Sequence, residues 1–254
     1  SLGADGKPAP FVTDTNWTNG IAFDLDGSLI MAEMGGSTGH GRIARRDTAG
    51  TLSVLVDKDP SGNPLHTVDD VTVGSDGTIY FSDGDFAHGT TYTSLGYLSQ
   101  DPVYALKPGT GMRTLLKGDT VAGPNGIELS PDEKTLYVDG YGDGNVWKFN
   151  LGSDGTPKKS GSLVSGLSNP DSLCLDAAGN LYVGVSAGLQ VLKPDGTKVS
   201  VIAVASAKGV TNCAFGGDDG KTLYITAWTG LWKVDAMPIP GLDWTVDQAR
   251  VKCQ

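Results

Sequence analysis

Histidine and cysteine are scarce in this sequence, with three of each, and so is positive charge: 19 Lys and Arg against 29 Asp and Glu leave a formal net charge of -10. The shortage of basic residues argues against a nucleic-acid partner, because phosphate binding needs Lys and Arg to displace condensed counterions. Cys174, Cys213 and Cys253 form no C-x-x-C pair and have no neighbouring histidines, which argues against a zinc site. His40, His66 and His88 lack the helical spacing of a zincin and read as loop or rim residues. The longest apolar run, around VSVIAVASA at 199–207, falls well short of the roughly 20 residues that cross a bilayer. A soluble chain with no membrane partner is expected. No long window carries helical periodicity, so the fold class is all-β.

What the sequence has in abundance is glycine, 37 residues, and a short pattern that recurs five times. A strand opened by a polar residue runs through an Asp/Gly turn into a second strand. The first strands are NGIAFD (19–24), DDVTVG (69–74), NGIELS (125–130), DSLCLD (171–176) and TNCAFG (211–216). Their partners are SLIMAEM, TIYFSDG, TLYVDG, NLYVGV and TLYITA. Spacings of 50, 56, 46 and 40 residues between repeats point to a radial architecture in which each unit buries its faces against its neighbours. Third strands such as PVYALKP and fourth strands such as GMRTLLK complete units of four, which is the anatomy of a β-propeller of four-stranded antiparallel blades. The repeat runs without a linker, so residues 1–254 are expected to be a single domain. The last repeat lacks a fourth strand. PAPFVT (8–13) is expected to close the ring as the outer strand of that blade, which would cover an exposed edge.

First strands of a propeller line its channel, so the repeat alignment brings Asn19, Asp69, Asn125, Asp171 and Thr211 to equivalent axial positions. Five polar side chains converging there make the channel the candidate site. His66 lies three residues before Asp69, close enough in sequence to touch a substrate. The long hairpin loop 83–101 carries His88, Tyr92 and Tyr97 and reads either as a lid over the channel mouth or as a glycine-rich surface excursion. Tyr141 and Trp228 follow inner hairpins and either pack between blades or wall the pocket rim. Cys174 and Cys213 lie inside first strands, where buried thiols are expected; a Cys213–Cys253 disulfide that pins the tail is the alternative in an oxidising compartment.

PNGIELSPDEKTLYV (124–138), NPDSLCLDAAGNLYV (169–183) and TNCAFGGDDGKTLYITA (211–227) resemble the family of gluconolactonase, regucalcin (senescence marker protein) and luciferin-regenerating enzyme. NGIAFDLDGSL and VDDVTVGSDGTIYFSD fit the same family in order, and the resemblance covers residues 8–235. It implies a six-bladed propeller with one divalent cation in the channel and lactone hydrolysis as the activity. By position, the family's metal-ligand asparagine is Asn125 and its metal-ligand aspartate is Asp171. The asparagine of the N-D-V motif is Asp69 here. Two departures stand out: no residue of 1–18 matches the family's glutamate-bearing E-G-P strand, and there are five repeats where the family has six. The chain is either a truncated six-bladed protein or a closed five-bladed form in which Asp69 replaces the missing carboxylate.

An oxygen set of Asp69, Asn125 and Asp171 suits a hard cation, calcium first, with manganese, magnesium, zinc or iron as alternatives. In the catalytic reading the cation polarises the carbonyl of a small-molecule lactone and Asp171 or Asp69 activates water, with Asn19, His66, His88, Tyr141 and Trp228 on the substrate. The alternative is a noncatalytic propeller that binds a cation or small molecule. The structural reading of the same residues is that Asx side chains at strand starts bond neighbouring backbone. GVSAG (184–188) mimics a nucleophile elbow but joins two strands, so Ser186 is a hairpin serine. FGGDDGKT (215–222) is one residue short of a phosphate loop and lies in a β-turn. NWT (16–18) is a glycosylation acceptor only where the host glycosylates. A periplasmic or secreted location is expected ahead of a cytoplasmic one. Nothing in the sequence specifies an oligomeric state.

Overall fold

Alternating apolar residues separated by Asp/Gly turns fold into nineteen strands and, among the described residues, no α-helix. The structure is a computed structural model that describes residues 9–13, 15–36, 40–84, 101–117, 120–205, 209–228 and 230–241. Blade 1 comprises β1 (Thr18–Phe23), β2 (Leu29–Glu33), β3 (Arg42–Arg46) and β4 (Leu52–Val56). Blade 2 comprises β5 (Thr67–Val73), β6 (Ile79–Gly84), β7 (Val103–Lys107) and β8 (Gly111–Leu116). Blade 3 holds β9 (Pro124–Leu129), β10 (Thr135–Gly140), β11 (Asn145–Leu151) and β12 (Pro157–Val164), and blade 4 holds β13 (Leu173–Leu175), β14 (Leu181–Val185), β15 (Gly188–Leu192) and β16 (Lys198–Ala203). β17 (Asn212–Gly216), β18 (Thr222–Ala227) and β19 (Gly230–Val234) make a three-stranded fifth. Every blade is an antiparallel meander in chain order.

The turns set the hairpins. The amides of Gly27, Gly77 and Gly179 donate to the carbonyls of Asp24, Gly74 and Asp176 at 3.0, 2.9 and 2.8 Å. The carboxylates of Asp26, Asp76 and Asp176 accept the amides of Ser28, Thr78 and Asn180, which fixes the return of each strand. In blade 3 Glu133 occupies the left-handed position, φ 53°. Its carboxylate accepts the amide and hydroxyl of Ser75, both at 2.8 Å, and so ties blade 3 to blade 2.

Hydrophobic burial occurs between blades. Ile43, Val68 and Phe81 pack blade 1 on blade 2; Val103, Ile127 and Phe149 pack blade 2 on blade 3; Val146, Leu173 and Leu181 pack blade 3 on blade 4; Leu189, Leu223 and Ile225 pack blade 4 on blade 5. Each inner strand lies against the next, from β1 to β5, β9, β13 and β17, but β17 and β1 make no contact of comparable extent. The last segment, 236–241, runs across the ends of blades 4 and 5, where Met237 and Gly241 donate to Lys221 and Gly220 and Ala177 donates to Pro240.

Two expectations are corrected. Residues 9–13 of the PAPFVT segment form no strand, and the sheet of blade 5 is β17-β18-β19 with Phe11 67% exposed. Pro10 has no amide to donate to a neighbouring strand, which disfavours pairing there; Pro8 lies outside the described residues. Cys174 and Cys213 are not separate thiols. They form a disulfide between β13 and β17, with Cα atoms 5.9 Å apart, so Cys213 is not available to Cys253, which lies outside the described residues.

The left-handed Gly77, φ 78°, has room for a methyl group, since a Cβ there would stand 3.6 Å from Leu25 Cδ1. Gly77→Ala therefore isolates the backbone term and should lower stability by about 1–2 kcal/mol, read as a shift of the urea midpoint at unchanged slope. The disulfide closes a sequence separation of 39 residues. Cys213→Ser should cost about 4 kcal/mol on the chain-entropy model, and alkylation without reductant should label one of the three cysteines; three labels would disprove the bridge.

Candidate functional site

Three of the five first strands share an irregularity at their axial residues. In blade 1, Thr18 pairs with Glu33 and Ile21 with Met31, so three steps on β1 match two on β2. The same extra residue occurs in blade 2 between Val68 and Val71, and in blade 3 between Pro124 and Ile127. These bulges fall on Asn19-Gly20, Asp69-Asp70 and Asn125-Gly126, and an extra residue bends the strand and re-aims its side chains.

The first residue of each bulge joins the axial set. Asn125 Nδ2 donates to Asp171 Oδ1 at 3.3 Å, while Asn125 Oδ1 is buried without a hydrogen-bond partner. The Asn19 side chain lies close enough to the buried Asp69 to favour its charged form. Burial pushes the Asp69 carboxyl well up, with repulsion from Asp70 and Asp171 adding to it and the Asn19 side chain opposing it. Burial likewise lifts Asp171 to about 6 against the hydrogen bond from Asn125. Thr211 stands apart from the acids, its hydroxyl 3.0 Å from that of Thr226. The five axial residues therefore divide into an Asn125–Asp171 pair, an Asn19–Asp69 pair and a separate Thr211. Among the described residues, no three His, Cys, Asp or Glu side chains form a ready-made metal cluster.

Two further carboxyl groups belong to the same surroundings. Asp70 accepts the Val71 amide at 2.9 Å and the Ile127 amide at 3.2 Å, crossing from blade 2 to blade 3. Its own amide donates to Ser82 Oγ, which donates to the Asn125 carbonyl at 2.6 Å. Asp139, at the end of β10, is fully buried, and neither of its oxygens accepts a regular hydrogen bond. Burial raises it strongly, the Gly126 amide gives partial relief, and Asp171, Asp70 and Asp69 repel it. A Cβ on Gly20 would lie 2.4 Å from Asp70 Oδ1, and one on Gly126 would lie 2.4 Å from Asp139 Oδ2. The glycine of each Asn-Gly pair is thus the space a carboxyl group occupies. Asp139 did not emerge from the strand starts, yet Glu33, Asp83 and Asp139 close the second strands of the first three repeats, a pattern present in MAEM, FSDG and VDG.

The other candidates lie elsewhere. The His66 amide donates to both oxygens of Asp83, at 2.9 and 3.0 Å, and burial lifts Asp83 to about 7 despite that bond. Tyr141 is exposed beyond β10, its amide bonded to the Gly123 carbonyl. Trp228 is exposed beyond β18 in a left-handed conformation, φ 47°. None of the three lines the cavity between the inner strands; of the axial set Asn19 and Thr211 line it, and Asp69, Asn125 and Asp171 do not. His88, Tyr92 and Tyr97 lie outside the described residues.

Residues 4–229 match a family model described as SMP-30/Gluconolactonase/LRE-like region. The chain is similar to a gluconolactonase of Zymomonas mobilis, 27% identical over 83% of this chain and 60% of the relative, and to the lactonase drp35 of Staphylococcus aureus, 30% identical over 69% of this chain and 52% of the relative. It therefore spans little more than half the length of these curated relatives. A solved structure of a gluconolactonase from Xanthomonas campestris superimposes with a TM-score of 0.76 at 28% identity, covering 91% of this chain and 74% of that one.

The raised carboxyls predict an unusual stability profile. A carboxyl group whose folded pKa lies above its unfolded value binds more protons when folded, so its contribution is full below the unfolded pKa and is lost as pH rises through the folded one. For Asp171 that window runs from about 4 to about 6. The chelated protein should lose on the order of 2 kcal/mol between pH 4 and pH 7 from this group alone, and calcium should restore stability at pH 7. Denaturant titrations at the two pH values, with and without calcium, test this; a flat profile would disprove it.

Proposed function

Because the chain belongs to the SMP-30/Gluconolactonase/LRE-like family, we propose that it is a lactone hydrolase in which Asp171, Asn125 and Asp69 carry the chemistry. The observation that supports this reading is the Asn125–Asp171 pair, a carboxyl group near neutrality held beside a buried amide oxygen with no partner.

The donor set fits a hard divalent cation, calcium first. Asn125 Oδ1 is a desolvated oxygen with no hydrogen-bond partner among the described residues; Asp171 is raised by burial, and Asp69 by burial and by repulsion from Asp70 and Asp171, which a positive charge would relieve. Asn125, Asp171 and Asp69 would hold the ion, with manganese, magnesium, zinc or iron as alternatives. When bound, it polarises the lactone carbonyl and steadies the negative charge that develops on its oxygen.

Asp171 is the general base. Asn125 fixes one of its oxygens, which leaves the other to take a proton from water and return it. Water attacks the carbonyl carbon as its proton passes to Asp171. The ring C–O bond then breaks, and the departing oxygen recovers that proton to leave an open-chain hydroxy acid. Asp69, oriented by Asn19, supplies the second carboxyl group and is the alternative base.

Asp171→Ala should lower kcat/KM by about 100-fold or more, and chelation should abolish activity until calcium or another divalent ion is returned. A pH-stat assay of glucono-1,5-lactone and a small lactone panel, corrected for spontaneous hydrolysis, measures both. Because the described residues include no preassembled three-acid cluster, the competing reading is a noncatalytic propeller that binds a cation or small molecule. Cation binding without turnover of any lactone would favour it.

A further inference from the structure

A bulge takes backbone groups out of the strand ladder, and where they are buried other partners must serve them. At Asn125-Gly126 those partners are side chains. Ser82 Oγ, from blade 2, donates to the Asn125 carbonyl at 2.6 Å while it accepts the Asp70 amide at 3.1 Å. At the other end of the same peptide the Gly126 amide lies beside the Asp139 carboxyl and eases its charge. A Cβ on Gly126 would stand 2.4 Å from Asp139 Oδ2, 2.6 Å from Ser172 Cα and 2.8 Å from the Leu173 nitrogen, so Gly126 is wedged between that carboxyl and the first strand of blade 4. The Asn125–Gly126 peptide is thus held at both ends.

The register shows that Ser82 and Asp139 occupy the same position of the repeat. Val71 pairs with Phe81 and Val68 with Asp83, which sets Ser82 opposite the Asp69-Asp70 bulge. Ile127 pairs with Val138 and Pro124 with Gly140, which sets Asp139 opposite Asn125-Gly126. The corresponding residue is Ala32 in blade 1, Gly184 in blade 4 and Thr226 in blade 5. Ala32 and Gly184 have no polar side chain, and the Thr226 hydroxyl bonds Thr211 and Asn212 of its own blade. The polar groups that can hold backbone from this position therefore sit in blades 2 and 3, whose junctions with the next blade carry Asn125 and Asp171. Both Ser82 and Asp139 are fully buried.

We infer that Ser82 and Asp139 are positioning residues, which hold the Asn125 bulge from two sides and so aim the Asn125 side chain, with Asp171 bonded to it, at the candidate cation site. This rests on the cation reading for what is aimed but not for the hold itself. Fixing the peptide removes backbone freedom before an ion arrives, so that less is lost on binding. It also accounts for an acid where blades 1 and 4 have Ala32 and Gly184. A fully buried carboxyl is costly, and this one serves an amide that the bulge has taken out of the ladder.

The test uses the full chain, with calcium affinity read by calorimetry and hydrogen exchange of the Gly126 amide read by NMR in the calcium-free protein. Ser82→Ala and Asp139→Ala should each weaken calcium binding about tenfold or more and speed Gly126 exchange about tenfold. Asp139→Asn keeps an oxygen to face the Gly126 amide and should stay within about threefold of the wild type in both readouts. Ser130→Ala removes another buried hydroxyl, bonded to Asp132 and to the Thr135 amide at the far end of the same hairpin. It should lower stability and leave both readouts unchanged. Calcium affinity and Gly126 exchange that are the same in the Ala variants as in the wild type, or that Ser130→Ala alters as much, would overturn the positioning role and leave the cation reading standing. Asp139→Asn as impaired as Asp139→Ala would reduce Asp139 to a charge and overturn its part. A wild type that binds no divalent ion, with Gly126 exchange quickened by Ser82→Ala and Asp139→Ala alone, would overturn the cation reading and uphold the hold on the bulge. Absence of both ion binding and any effect on Gly126 exchange would overturn both.

Discussion

Buried carboxyl groups within electrostatic reach of one another set the terms for the rest of the molecule. Close like charges repel by a few kcal/mol per pair at the effective dielectric of a protein, and burial removes the water that would otherwise screen them. Asp69, Asp139 and Asp171 respond by holding their protons more tightly. The same arrangement can be relieved by a cation, and Asn125 Oδ1 faces those surroundings as a dehydrated acceptor with nothing to accept. The charge problem and the chemistry proposed for the channel have one origin.

The scaffold keeps these groups together through contacts that are as much architectural as chemical. Bulges at Asn19-Gly20, Asp69-Asp70 and Asn125-Gly126 turn successive side chains in different directions. Asp70 bonds the backbone of blade 3 from blade 2. Among the described residues blade 5 packs on blade 4, and the Cys174–Cys213 bridge fastens the inner strands of the two together.

Much of this architecture was legible in the chain. Period-two apolar alternation and Asp/Gly turns locate the strands, because both depend on residues a few positions apart, and aligning five repeats places Asn19, Asp69, Asn125 and Asp171 at strand starts. The pairing of Cys174 with Cys213 was not legible, since three cysteines without a spacing motif do not choose a partner. The PAPFVT segment carried enough apolar residues to suggest a strand, but its two prolines decided against pairing. Asp139 was hidden because it closes a second strand, where an acid in a tight turn reads as a turn residue until the next blade is packed over it.

By itself, then, the sequence determined the all-β repeat, the blade order and the Asn and Asp residues that open the inner strands, all consequences of short-range pattern and turn chemistry. Only the tertiary structure decided that Asn125 bonds Asp171 while Asn19 lies beside Asp69, and that Asp139 is buried among other acids with only the Gly126 amide to ease it. Those outcomes depend on which surfaces meet across 40 or more residues of chain, and a local pattern carries no record of how closely two distant strands will pack.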